Sequence, residues 1–274
     1  MKKIYLIIRY LLITFVCGVC LTPFLVLLIL SLNTPKRNFY EGNMLIPDFY
    51  FQNFVEGWHK SNIGQAMINS GLITIISVVL IVVLSAMAGY AIARFRNKIN
   101  MLIFGILLGC MMIPGIINTV PLYTLMIKIK AVNTLWGMAC VCATLALPQA
   151  VFVFTGFVRS LPKEIEEAAI IDGCSYMKVF WRIIFPLLKP SISAVVILNG
   201  FGIWNNYSQA VFFLQDSSKH NVPQALSVYF QQFAGAKWNL MAATAVIAII
   251  PVVTAFLIFQ KNLMKGLTEG ALKG

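Results

Sequence analysis

Residues 159–174 read Arg159-Ser160-Leu161-Pro162-Lys163-Glu164-Ile165-Glu166-Glu167-Ala168-Ala169-Ile170-Ile171-Asp172-Gly173-Cys174. This is the densest charge cluster in an otherwise apolar chain. Uncharged runs flank it, 132–158 before and 191–214 after, and each is long enough for a bilayer-spanning helix of about 20 residues. The charged stretch therefore reads as a water-facing connection between two spans. Within it, Ser160 is placed to cap a short helix, Pro162 sits near the first turn, and Glu164, Glu166 and Glu167 complement the positive helix start. Gly173 supplies the stop. A second amphipathic piece runs over 176–185 and ends at Pro186. The small residues Ala168 and Ala169 would let another backbone approach closely, which suits a groove on a partner protein; an ordinary interhelical loop is the alternative.

Working outward, the same logic gives an all-α membrane protein. Of 274 residues, 59% are hydrophobic and 11% charged, against about 25% charged in a soluble domain. Mean hydropathy is +0.84. Six spans are expected, at 8–32, 63–93, 101–127, 132–158, 191–214 and 240–259, in one transmembrane domain covering 1–274. The first span follows Met1-Lys2-Lys3, but it is too long for a signal peptide's apolar core and is expected to be retained. Pro114 and Pro121 in the third span, Pro148 in the fourth and Pro251 in the sixth predict kinks, either structural or part of a pathway that opens and closes. Residues 33–62, with Ile46-Pro47 and Asn53-Phe54, form an external loop. Residues 216–237, with Pro223 and Gln231-Gln232, form another.

Charge sets orientation. Of 21 Lys and Arg, 14 fall on one side and 7 on the other, which places both termini in the cytoplasm. Lys128 and Lys130 run against that bias. A net charge of +12 distributed in loops does not form a nucleic-acid-binding stripe. Cys17, Cys20, Cys110, Cys140, Cys142 and Cys174 lack the partners of a metal site, and His59 and His220 read as solvated loop residues.

The segment's spacing carries a resemblance. Glu167-Ala168-Ala169, then Asp172-Gly173, then nine residues to Ile183 and on to Pro186, resembles the cytoplasmic EAA loop of ABC importer permeases; Phe185 stands where that pattern has leucine. The stretch from Gln260 through Gly266-Leu267-Thr268-Glu269-Gly270-Ala271-Leu272-Lys273-Gly274 is similar to the tail of carbohydrate importer permeases of the maltose type, the smaller of their two permease subunits. Phe201-Gly202-Ile203-Trp204-Asn205-Asn206-Tyr207 is similar to their fifth span, and Gly89-Tyr90-Ala91 with Arg94 to the end of their second. The family often has Glu or Asp where this chain has Asn206, which bears on substrate identity.

The resemblance implies a type I ABC importer permease fold in a bacterial cytoplasmic membrane. The partners would be a second permease, two ATPase subunits and an extracytoplasmic solute-binding protein. Glu164, Glu167, Ala168, Ala169, Asp172, Gly173, Ile183 and Pro186 would couple to an ATPase subunit, and Thr268, Gly270 and Lys273 would reach the ATPase pair from the tail. This chain would hold no cofactor and be no enzyme, ATP and magnesium being bound by the ATPase subunits. The sequence has no phosphate-cradling G-x-x-x-x-G-K-[ST] loop and no catalytic constellation.

The substrate would be a carbohydrate, bound by amides, hydroxyls and aromatic faces. Asn118 and Tyr123 in the third span and Trp204, Asn205, Asn206, Tyr207 and Gln209 in the fifth offer that mixture. The same amides also serve helix packing. Two rivals are a permease for another polar solute and a stand-alone secondary transporter or channel. Neither internal repeats nor intramembrane charges of the latter kind are visible, and a lone carrier has no need of a docking helix.

Overall fold

A computed structural model describes residues 2–35, 46–95, 97–230 and 237–271. Among these, the regular structure is helical: α1 (Lys2–Ser31), α2 (Gln52–Lys60), α3 (Ile63–Arg94), α4 (Lys98–Met111), α5 (Thr119–Lys128), α6 (Leu135–Ser160), α7 (Glu164–Ile171), α8 (Tyr176–Val179), α9 (Phe185–Leu187), α10 (Lys189–Trp204), α11 (Ala210–Phe213), α12 (Val222–Ser227) and α13 (Trp238–Ala271). Four of these contain stretches long and apolar enough to cross a membrane: Tyr5–Ser31, Ile63–Arg94, Leu135–Ser160 and Trp238–Ile258. A fifth candidate is a bent pair, Tyr176–Leu187 with Lys189–Trp204, which turns by 72°.

The expected third span, 101–127, is not one helix. It is α4 and α5 separated by a non-helical stretch. Pro114 has no N–H to donate, and Gly115 beside it loses backbone freedom in a helix at the highest cost, so the helix stops at Met111. Pro121 falls in the first turn of α5, where N–H groups have no intrahelical acceptor anyway. The expected fifth span, 191–214, also breaks. α10 ends at Trp204, and Asn205 to Gln209 form turns before α11. Here Asn206 Oδ1 accepts from Gln209 N at 3.0 Å, a local bond that competes with helix continuation. Through Pro148 and Pro251 the helices α6 and α13 continue.

The chain divides into two compact units, Met1–Gly64 with Ala225–Pro251, and Gln65–Gln224 with Val252–Gly274. In the first, buried Asn53 donates from Nδ2 to the carbonyls of Ser31 and Asn33, both at 2.8 Å, and accepts from Asn239 Nδ2 at 2.7 Å. One amide thus fixes the end of α1, α2 and the start of α13. In the same unit Thr34 donates from N and Oγ1 to Asp48 at 3.0 Å each.

In the second unit the core is built by α3, α6 and α10, with Ile73, Ile81, Met138, Val141, Phe154, Ile184 and Val195 among its buried side chains. Gly89 lets α3 lie against α6: a Cβ there would come 2.8 Å from Phe154 Cβ.

Candidate functional site

The charged segment folds as a helix held on its inner face and open on its outer one. Glu164, Glu167, Ala168 and Ile171 follow the i, i+3, i+4, i+7 spacing of one helical stripe, and all four are exposed, Ile171 to 85%. Glu166 and Ala169, on the other side, are buried. The Glu-Ala-Ala triplet is therefore divided: Glu167 and Ala168 look outward, and Ala169 packs into the core. Of the other positions singled out in the sequence, Asp172, Gly173 and Pro186 are exposed and Ile183 is half-buried against the core.

The helix ends as its sequence predicts. Gly173 has φ +81°, in the left-handed region where glycine is favoured. Cys174 N donates to Ala169 O and Gly173 N to Ile170 O, each at 3.0 Å, which is the Schellman pattern. The start differs. Lys163, not Ser160, is the N-cap, with no side-chain cap bond. Ser160 is the last residue of α6 and its hydroxyl donates back to Phe157 O at 2.8 Å, because the chain leaves α6 as extended backbone at Leu161 before α7 begins.

Downstream, the amphipathic piece holds a π turn over Phe180–Ile184. Pro186 cannot donate to the Arg182 carbonyl and its ring would clash there, so the preceding turn widens. Pro190, four residues on, repeats the interruption at the 72° bend.

The inner face of α7 is anchored by residues whose role the sequence did not disclose. Arg94, the last residue of α3, donates from Nε to Glu166 Oε1 at 2.6 Å, and the two side chains are 7% and 8% exposed. Its Nη2 donates to Leu161 O at 3.1 Å, and Tyr90 OH donates to Glu166 Oε2 at 3.1 Å. A charge at the end of an apolar run reads in sequence as an orientation signal. Only the 3.6-residue period, which puts Glu166 opposite Glu164 and Ile171, hinted at an inward carboxylate.

The second set of candidates lies where the two expected spans 101–127 and 191–214 are interrupted. Gln209, 4% exposed, accepts from Thr119 Oγ1 at 3.3 Å and donates to Gly115 O at 3.5 Å. Asn206 caps Gln209 N, and its carbonyl accepts from Asn221 Nδ2 at 2.8 Å. Its Nδ2 lies 3.8 Å from Cys142 Sγ. Tyr123 accepts from Gln215 Nε2 at 2.9 Å and meets Phe213 edge-on at 5.7 Å. Asn118 stands at the start of α5, Trp204 at the end of α10 and Asn205 just after it. Tyr207 is 44% exposed. The structure thus links Asn206 and Gln209 to the α4–α5 break, with Thr119, Gln215 and Asn221 as members that sequence reading had not named. Irregular backbone at span depth needs such partners, from protein or from a water-filled path.

In the tail, Thr268 and Gly270 fall on the backbone of α13, and Lys273 lies outside the described residues. α13 has 34 residues, about 50 Å at 1.5 Å per residue, more than a hydrocarbon core of about 30 Å requires.

Residues 81–269 match the family model described as "Binding-protein-dependent transport system inner membrane component". The chain is similar to the melibiose/raffinose/stachyose import permease protein MelC of Bacillus subtilis, 38% identical over 255 residues, with 92% of this chain and 91% of that one covered. It is also similar to the arabinooligosaccharides transport system permease protein AraQ of Halalkalibacterium halodurans, 33% identical over 264 residues, with 95% and 94% covered. Among solved structures, it superposes on a chain of a bacterial ABC transporter involved in the import of the acidic polysaccharide alginate. The TM-score is 0.81 at 20% identity, covering 94% of this chain and 96% of that one. At that identity the likeness shows the fold, that of an ABC importer permease.

Proposed function

The chain belongs to the family of binding-protein-dependent transport system inner membrane components, and from that premise we propose that it is a permease subunit of an ATP-driven oligosaccharide importer. It spans the membrane several times with both termini in the cytoplasm. It pairs with a second permease, takes sugar from an extracytoplasmic binding protein, and leaves ATP and magnesium to two separate ATPase subunits. The observation that carries the coupling role is the exposed stripe Glu164, Glu167, Ala168 and Ile171, presented between spans and stopped by Gly173. Two carboxylates at the start of the stripe and an exposed isoleucine at its end suit a groove with a basic edge and an apolar floor. The tail positions Thr268, Gly270 and Lys273 give the ATPase pair a second contact.

The class of substrate follows from the relatives named for melibiose, raffinose, stachyose and arabinooligosaccharides, and from the uncharged amides at the two helix breaks. Asn118, Tyr123, Trp204, Asn205, Asn206, Tyr207 and Gln209 line the passage. Asn206 contributes an amide and no charge, which fits a neutral sugar. The test is uptake of labelled oligosaccharides by cells that carry or lack this chain. Uptake of melibiose, raffinose, stachyose or an arabinooligosaccharide that disappears with the chain supports the reading. Loss of uptake of a non-carbohydrate solute alone would replace it with a permease for another polar solute.

A further inference from the structure

We propose that Arg94 is a positioning residue through which any displacement of α7 is delivered to the membrane-spanning helix α3. The proposal rests on the reading above that α7 docks on an ATPase subunit. α7 is eight residues long, with a turn at each end, and its outer stripe is exposed among the described residues. What ties it to a span is therefore on its inner face. Ala169 offers only a methyl group there. Glu166 offers a carboxylate whose two oxygens are both taken by α3, one by Arg94 Nε at 2.6 Å and one by Tyr90 OH at 3.1 Å.

Arg94 also holds the approach to α7, through Nη2 to the Leu161 carbonyl at 3.1 Å. The last turn of α3 and the residue after it grip the other arm of the segment. Tyr90 lies 5.4 Å from the Phe180 ring and Phe95 lies 5.2 Å from Tyr176. The end of α3 thus holds both the helix that docks and the helix that returns the chain to the membrane.

A buried ion pair adds little stability compared with apolar residues of the same volume. What it does supply is fixed geometry, because a planar guanidinium meets a carboxylate only along a few directions. A greasy contact in this place would let α7 slide over α3. The ion pair makes the two move together.

The experiment uses the whole complex in proteoliposomes with its binding protein, and it measures sugar imported per ATP hydrolysed. Arg94→Met alone would leave Glu166 buried and unpaired, so the key variant is Arg94→Met with Glu166→Leu, which strands no charge. Expected is normal co-purification with the ATPase subunits and an about tenfold fall in sugar per ATP, the size of a typical coupling between sites. Arg94→Lys, which keeps the charge but not the Leu161 bond, should recover part of the ratio. A double variant with the wild-type ratio overturns the proposal. So does a double variant that loses the ATPase subunits, since the pair would then serve assembly. If the wild-type chain itself brings down no ATPase, the docking reading has failed, a result distinct from either.

Discussion

Thr119 donates to Gln209 across 3.3 Å, joining the two places where spans come apart. One break follows α4 and the other follows α10, and each leaves backbone groups that a helix would have satisfied. Gln209 closes part of that deficit by reaching the Gly115 carbonyl as well. An amide buried to this degree needs such partners, and its replacement has a calculable effect.

Gln209→Leu should strand the Thr119 hydroxyl and the Gly115 carbonyl, at about 1–3 kcal/mol for each buried group left unsatisfied. The complex should still assemble but import sugar with a lower maximal rate. Initial uptake rates against sugar concentration check this. Unchanged uptake would place Gln209 outside the pathway.

Gly173 stands in open space, since a Cβ would meet nothing within 4 Å, yet its φ is +81°. Strain, not crowding, therefore governs substitution. Gly173→Ala should cost about 1 kcal/mol of segment stability, with Asn tolerated better. Gly173→Arg adds bulk to the docking face and should uncouple transport while the protein stays in the membrane. Sugar imported per ATP, compared across the three variants, checks the order.

Much of this was readable in advance, for physical reasons. Gly173 and the acidic first turn of α7 are local signals, fixed by neighbours in the chain, and the structure has them in place. The Arg94–Glu166 pair was not readable, because it joins residues 72 apart in sequence and neither position looks unusual by itself. Pro114 marked a kink but not the end of a helix, and the break at Asn206 was hidden by composition. An apolar run shows that a segment suits lipid, and says little about whether its backbone stays helical throughout. Ser160 misled because a serine before a proline resembles a cap, whereas the extended backbone at Leu161 moves the helix start downstream.

Asn53 gathers Ser31, Asn33 and Asn239 around one side chain. Asn53→Leu removes the donor to the Ser31 and Asn33 carbonyls and should destabilise this unit by about 2–6 kcal/mol, at about 1–3 kcal/mol for each of the two buried groups. Thermal unfolding in detergent, read as a loss of monodisperse protein, measures it.

Outside the spans, burial pushes the His220 imidazole below its ordinary 6.5, with the Asp216 carboxylate pulling the other way. The neutral form is thus favoured in the folded segment. Its stability is fully present above pH 6.5 and declines as pH falls below that value, because the opened segment takes up the proton more readily. Asp216, held low by its hydrogen bonds to Ser218, stays ionised throughout that window. Amide protection over 216–221, taken relative to the intrinsic exchange rate at each pH, should therefore fall between about pH 7.5 and about pH 5.5. His220→Gln should abolish the difference.

The central claim is that this chain works as one part of an ATP-driven assembly. The direct test is affinity purification of the tagged chain, with its neighbouring genes co-expressed, in mild detergent. Expected is recovery of a second permease and an ATPase subunit, with ATP hydrolysis stimulated by the sugar-loaded binding protein. A chain that purifies alone as a stable species would contradict it, and would make Glu164 to Gly173 an ordinary loop of a lone carrier or channel.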